Sequence, residues 1–217
     1  MIFLFPDSRL IKYRQGHTLY DRLPRPRSLW KRAEELTGEK VIGFSFGTPT
    51  EAMKPGPLAR LGAFLHAVSA AEALAKSGKT PSEACGLGEG LVAAAAWAGA
   101  ISMDQGMLAA FTGTFPANSI FEAPKVSLRG RLASEEFLTE APKIQAELEA
   151  CLKAEPALDG PEIVGLLAAW KRGKAQSVVI PGPGASLAAA LRKLEPGLQA
   201  LPASELEDIG TILKVVR

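Results

Sequence analysis

Residues 85–97 read Cys85-Gly86-Leu87-Gly88-Glu89-Gly90-Leu91-Val92-Ala93-Ala94-Ala95-Ala96-Trp97. Glycines at every second position mark backbone that turns tightly or meets another backbone closely. The segment behind them is apolar on every side, and a helix of that kind is buried all round. This stretch therefore reads as the central helix of the domain, entered by a tight turn. The apolar run from Leu91 to Ile101 is mostly alanine and about half of what a bilayer crossing takes, so no transmembrane helix is expected from it.

Toward the N-terminus, Pro57 opens a long helix whose Leu61, Phe64, Leu65, Val68, Ala71 and Leu74 recur at spacings of three and four, ending at Gly78. Val41 to Phe46 reads as strand or extended loop. Ser28 is placed as the cap of a helix through Trp30, Ala33 and Leu36 that stops at Gly38. Ile2 to Phe5, closed by Pro6, reads as a buried strand followed by a polar, basic loop. Toward the C-terminus, Ser102 with Gln105 forms a capping box for a helix to about Phe111. Val126 to Leu132 alternates as a strand does. Ile144, Leu148, Cys151 and Leu152 stripe one helix, and Asp159-Gly160-Pro161 opens another. Ser177 to Ile180, Leu187 to Leu194 and Leu198 to Leu201 make a strand, helix, strand unit. Strands and helices thus share the chain, and a change of texture over 113–125 places a subdomain boundary there.

Cys85 and Cys151 are the only cysteines, and His17 and His66 the only histidines, too few for a disulfide framework or a zinc site. No metal and no cofactor are expected. The opening Met-Ile-Phe-Leu-Phe, followed by Pro6 and Asp7, has no basic residue ahead of its apolar run and no small-residue cleavage site after it, so no signal peptide is read and a cytoplasmic protein is expected. Residues 1–32 hold eight Lys/Arg against Asp7 and Asp21, a local charge of +6 in a chain of net +2. With Tyr13, Tyr20 and Trp30 interleaved, this segment has the make-up to meet an acidic carrier protein, a phosphate-bearing ligand or nucleic acid. A solvated face is its plainer reading, and no nucleic-acid partner is predicted.

Three motifs invite chemistry. Ala73 to Thr80 has the spacing of a phosphate loop, but a helix leads into it and Pro81 follows it, so no strand aims backbone N–H groups at a phosphate. Pro181-Gly182-Pro183-Gly184 reads as a turn, because proline removes the donors an anion needs. Gly43-Phe44-Ser45-Phe46-Gly47 fits the G-x-S-x-G elbow and makes Ser45 an alternative nucleophile for a serine hydrolase. Against it, the only downstream histidine is His66, inside the long helix. Cys85 is a further candidate nucleophile, with burial as a small apolar residue the competing reading.

Gly86-Leu87-Gly88-Glu89-Gly90, the apolar helix and then Ala98-Gly99-Ala100-Ile101-Ser102 resemble the nucleophile elbow of the malonyl-CoA:acyl carrier protein transacylases, which reads Gly-His-Ser-Leu-Gly, helix, Ala-Gly. Phe3-Leu4-Phe5-Pro6 resembles that family's first strand, and Thr48 to Lys54, with Glu51, its Gly-Pro-Ala-Glu-Glu-Leu stretch. Ser177 to Ile180 resembles a strand of its ferredoxin-like subdomain. The resemblance implies a degenerate, C-terminally shortened member with an α/β fold: a mainly parallel sheet core over 1–113, a smaller α+β, ferredoxin-like subdomain over 114–203, and 204–217 returning to the core or ending as a strand. It sets Gly88 at the nucleophilic serine, Leu87 at the preceding histidine, Ser8 at the first-loop glutamine, Gly113 near the carboxylate-binding arginine and Asp208 near the catalytic histidine. Leu128-Arg129-Gly130-Arg131-Leu132 resembles the family's Leu-Arg-Gly-Arg-Leu string, making Arg129 a candidate for the carboxylate. Covalent acyl transfer needs a nucleophilic oxygen or sulfur, and glycine has neither. The implied function is non-catalytic binding of an acyl-CoA, an acyl carrier protein or a partner acyltransferase. Backbone N–H groups of Ser8 and Glu89 remain as an oxyanion-type pocket. Exposed sheet edges predict a homo-oligomer or a covering partner.

Overall fold

The computed structural model describes residues 1–47, 56–129, 141–153, 161–173 and 175–216. Five strands, β1 (Ile2–Phe5), β2 (Glu83–Gly86), β3 (Ser127–Arg129), β4 (Ser177–Pro181) and β5 (Gln199–Ala203), form one sheet in the order β3-β2-β1-β4-β5. Every pairing is parallel, with Phe5 opposite Gly86 and Ile2 opposite Val178. Parallel strands need both faces covered, and β1 shows how its short apolar run meets that need. Phe3 and Phe5 enter one core, Ile2 and Leu4 the other.

Helices α1 (His17–Arg22), α2 (Pro24–Thr37), α3 (Val41–Phe46) and α4 (Pro57–Lys76) lie between β1 and β2. Helices α5 (Gly90–Ala98) and α6 (Met103–Thr112) follow β2, and α7 (Ala141–Lys153) and α8 (Pro161–Arg172) follow β3. Helix α9 (Ala185–Leu194) links β4 to β5, and α10 (Leu206–Val215) comes last. Helices α8 and α9 cover one face through Ile163, Leu166, Trp170, Leu187 and Leu191, while α2, α4, α5, α6, α7 and α10 contribute to the other core.

The α/β class and the parallel sheet are as the resemblance implies. The strands assigned by sequence to a smaller unit over 114–203 are found in this same sheet, β3 against β2 and β4 against β1. Helix α2 starts at Pro24, whose fixed φ suits a first turn, and Ser28 lies inside it, donating its hydroxyl to Arg25 O at 2.8 Å. Val41 to Phe46 is helix, not strand or loop. The basic loop contains a 3-10 turn over Ser8–Leu10 as well as α1. The capping box at Ser102 and the left-handed Gly38 at the end of α2 are both present.

Helix α4 is long and apolar enough to span a bilayer, but 72% of its most apolar window is buried inside the protein, which accounts for that composition. It carries His66, fully buried, which donates from Nε2 to the carbonyl of Ser204 at 2.7 Å while Nδ1 has no partner among the described residues. Burial holds the imidazole pKa below its ordinary value, against the opposing pull of that hydrogen bond and of Glu205 and Asp208. The unfolded chain takes up a proton near pH 6.5 that the folded chain resists, so stability present above about pH 6.5 is lost as the pH falls below it. Glu89, described below, carries the opposite sign. The readout is therefore the urea midpoint of wild type against His66→Gln between about pH 8 and about pH 5.5. Wild type should lose more stability on acidification than the variant, and parallel pH profiles would contradict the assignment.

Candidate functional site

The site lies at the carboxyl end of the sheet, where β2 turns into α5 through Leu87, Gly88 and Glu89. Sterics explain the glycines. A Cβ at Gly86 would lie 2.1 Å from Leu91 Cα, and one at Gly90 would lie 2.3 Å from Phe5 O and 2.6 Å from Pro6 O. The helix thus starts against the backbone of both neighbouring strands. Gly88, at the apex, has φ +51, a left-handed conformation that side chains adopt rarely and the serine of a strand-to-helix elbow adopts under strain. The strand-to-helix bend is tight, and its apex residue is glycine.

The loop after β1 faces this bend. Ser8 donates its hydroxyl to Glu89 Oε2 at 2.6 Å, and Arg60 Nε of α4 lies 3.4 Å from Glu89 Oε1. Arg60 also donates to Ala110 O and Phe111 O at 2.9 and 2.8 Å, which fixes its guanidinium at the C-terminal end of α6, where a cation is favoured. Burial pushes the Glu89 carboxyl above its ordinary pKa, the Ser8 hydrogen bond opposes that rise, and Asp7 and Arg60 act in opposite directions beyond it. The space among Ser8, Arg60, Phe64, Glu89 and Ala110 is about 10 Å³, room for at most one water. Among the described residues no carbonyl or side chain accepts from the backbone N–H of Ser8 or of Glu89. Among them, too, no three His, Cys, Asp or Glu side chains gather to hold a metal.

No family model matches the chain, and no curated protein matches it in sequence. Solved structures match it along their whole length. Its structure superposes on the acyl-carrier-protein S-malonyltransferase of Burkholderia pseudomallei with a TM-score of 0.82 at 13% identity, covering 99% of each chain. For the malonyl-CoA:acyl carrier protein transacylase of Coxiella burnetii the TM-score is 0.85 at 12% identity, over 98% of this chain and 96% of that one. A type II polyketide acyl carrier protein complexed with its malonyl-transacylase gives 0.83 at 12% identity, over 98% of both chains. The chain has the malonyl-transacylase fold.

Within that fold the sequence-chosen residues fall into three places. Ser8 and Glu89 meet at the elbow, with Gly88 between β2 and α5. Arg129 does not join them. It lies in β3 beside Cys85, 7% exposed, with its Nε 2.8 Å from Glu83 Oε1, so its charge serves a buried ion pair. Ser45 is in α3, with no strand leading into it, and its buried hydroxyl accepts from Trp30 Nε1 at 3.4 Å. The G-x-S-x-G string there is one turn of helix and not an elbow. Cys85 is fully buried in β2, and burial followed by the charge of Glu83 raises its thiol pKa well above the ordinary value, which leaves no reactive thiolate. Asp208 accepts from the amides of Ser204 and Glu205 and caps α10. Thr48 to Lys54, with Glu51, lie outside the described residues.

The residue missed by sequence reasoning is Arg60. A Cβ built at Gly113, the position set near the family's carboxylate-binding arginine, would lie 3.6 Å from Arg60 Nη2. The Arg60 guanidinium of α4 thus lies beside Gly113, the residue that closes α6. Nothing in the local sequence signals this, since Arg60 reads as one polar residue on a core helix.

Proposed function

We propose that this transacylase-fold chain binds an acyl carrier protein or a CoA ester and forms no acyl-enzyme at its elbow. The observation that carries the proposal is Gly88: the residue at the apex of the bend has no side chain to attack a thioester. What supports binding is the backbone. Among the described residues the N–H groups of Ser8 and Glu89 donate to no acceptor, and the two residues meet through their side chains, which leaves two backbone donors for a ligand oxygen. Glu89 lies where an incoming acyl group would reach Arg60, so a ligand carboxylate competes with an internal one for that guanidinium. On the outer surface Arg22, Arg25, Arg27, Lys31 and Arg32 are exposed along α1 and α2. That charge complements an acidic carrier, and the carrier bound to one structural neighbour gives a precedent for the class of partner.

Two measurements test the reading. Radiolabelled malonyl-CoA incubated with the chain and run on a denaturing gel should leave no labelled protein, and a stable adduct would overturn the non-covalent reading. Calorimetric titration with holo acyl carrier protein or with a CoA ester should give heat that weakens with added salt. Heat with neither would overturn the binding reading.

A further inference from the structure

The C-terminal half of α4 borders a cavity of about 290 Å³ that is separate from the elbow, whose contacts use the N-terminal half of the same helix. Its wall is formed by Leu23, Pro24 and Pro26 at the start of α2 and by Ala73 of α4. Apolar cavities of ~150 Å³ hold benzene, so this one has room for a medium-length alkyl chain. Glu72 and Ala73 lie three and four residues after Ser69, and Lys76 four and three after them, so the four share one face of α4, a strip of about 10 Å. Lys76 stands exposed at one end of the strip. At the other, Ser69 lines the cavity with a buried hydroxyl that has no hydrogen-bond partner among the described residues, an uncommon state in a folded protein.

The charges at the rim are unequal. Glu72 is taken up by Arg25, whose Nε lies 3.0 Å from Glu72 Oε2 and whose Nη2 also donates to the same carboxylate. Lys76 forms no ion pair among the described residues, which leaves one uncompensated positive charge beside an apolar slot. We infer that this cavity is a binding site for an amphipathic monocarboxylate, with its alkyl chain along α4 against Leu23, Pro24 and Pro26 and its carboxylate at Lys76. Acids of this kind combine the two features the slot offers, an elongated apolar surface and a single cation at its mouth.

The test is calorimetric titration of the full chain with octanoate, beside octanol, which keeps the chain and lacks the charge, and acetate, which keeps the charge and lacks the chain. Octanoate should bind saturably, with octanol about fivefold weaker and acetate weaker still. Ala73→Phe, which fills the slot, should remove octanoate binding while circular dichroism stays as in wild type. Lys76→Glu, an exposed change that does not touch the core, should weaken octanoate about fivefold and leave octanol unchanged. The inference is overturned by absence of saturable octanoate binding, by a folded Ala73→Phe variant that binds as wild type does, or by Lys76→Glu without effect. Neither substituted residue contacts the elbow, so failure here and failure of the acyl-carrier reading are told apart.

Discussion

Gly90→Ala is expected to lower unfolding stability by more than about 3 kcal/mol and to abolish soluble expression if the margin is small. The methyl would sit 2.3 Å from Phe5 O and 2.6 Å from Pro6 O, and neither atom can move without moving β1. That strand is buried at every residue and pairs on both sides. Gly86→Ala drives a methyl to 2.1 Å from Leu91 Cα and should behave alike. Gly210→Ala is the control: it lies in α10 with nothing within 4 Å of the new methyl. It should be neutral or stabilising by up to about 1 kcal/mol, because alanine is the better helix former. Urea denaturation of the three variants decides the point. A Gly90→Ala protein within 1 kcal/mol of wild type would mean that α5 and β1 are not in contact as described.

Arg129→Met should cost about 3–5 kcal/mol, because it leaves the Glu83 carboxylate in a poorly hydrated place where, among the described residues, the Cys85 thiol is its one remaining donor. The two side chains of the pair are 8% and 12% exposed. The double variant Arg129→Met, Glu83→Leu should regain most of that loss, since an apolar pair of similar volume avoids burying a lone charge. Chemical denaturation of wild type, of Arg129→Met, of Glu83→Leu and of the double variant closes the cycle and gives the coupling. A single variant as stable as wild type would show that the pair is hydrated, and Arg129 would again be open as a ligand-binding cation.

The sequence disclosed those parts of the fold whose cause is local. Helix α4 declares itself through spacings of three and four, α6 through Ser102 and Gln105, and the end of α2 through Gly38, because periodicity and end chemistry act within a few residues. Helix α3 did not. Val-Ile-Gly-Phe-Ser-Phe is a six-residue apolar run that suits strand and helix alike, and packing against α2 and α4 decides it. Parallel pairing has no local signature either, so no spacing in the chain tells that β3 lies beside β2, β4 beside β1 and β5 beyond β4. At the site, the glycines of the elbow were legible from resemblance, and their necessity follows from the close approach of Leu91 and Phe5. The meeting of Ser8, Arg60 and Glu89 joins three separate elements, so no spacing in the chain foretells it.

Because Ile2 is opposite Val178, the central strand cannot complete its neighbourhood until most of the polypeptide has been made. Closing so long a loop is slow relative to forming local helices. A nascent chain released before Ser177 would carry β1 with one edge open, in the very strand that supplies Phe3 and Phe5 to the core. Assembly order, and with it the risk of misassociation during synthesis, is thus written into the placement of the first strand at the middle of the sheet.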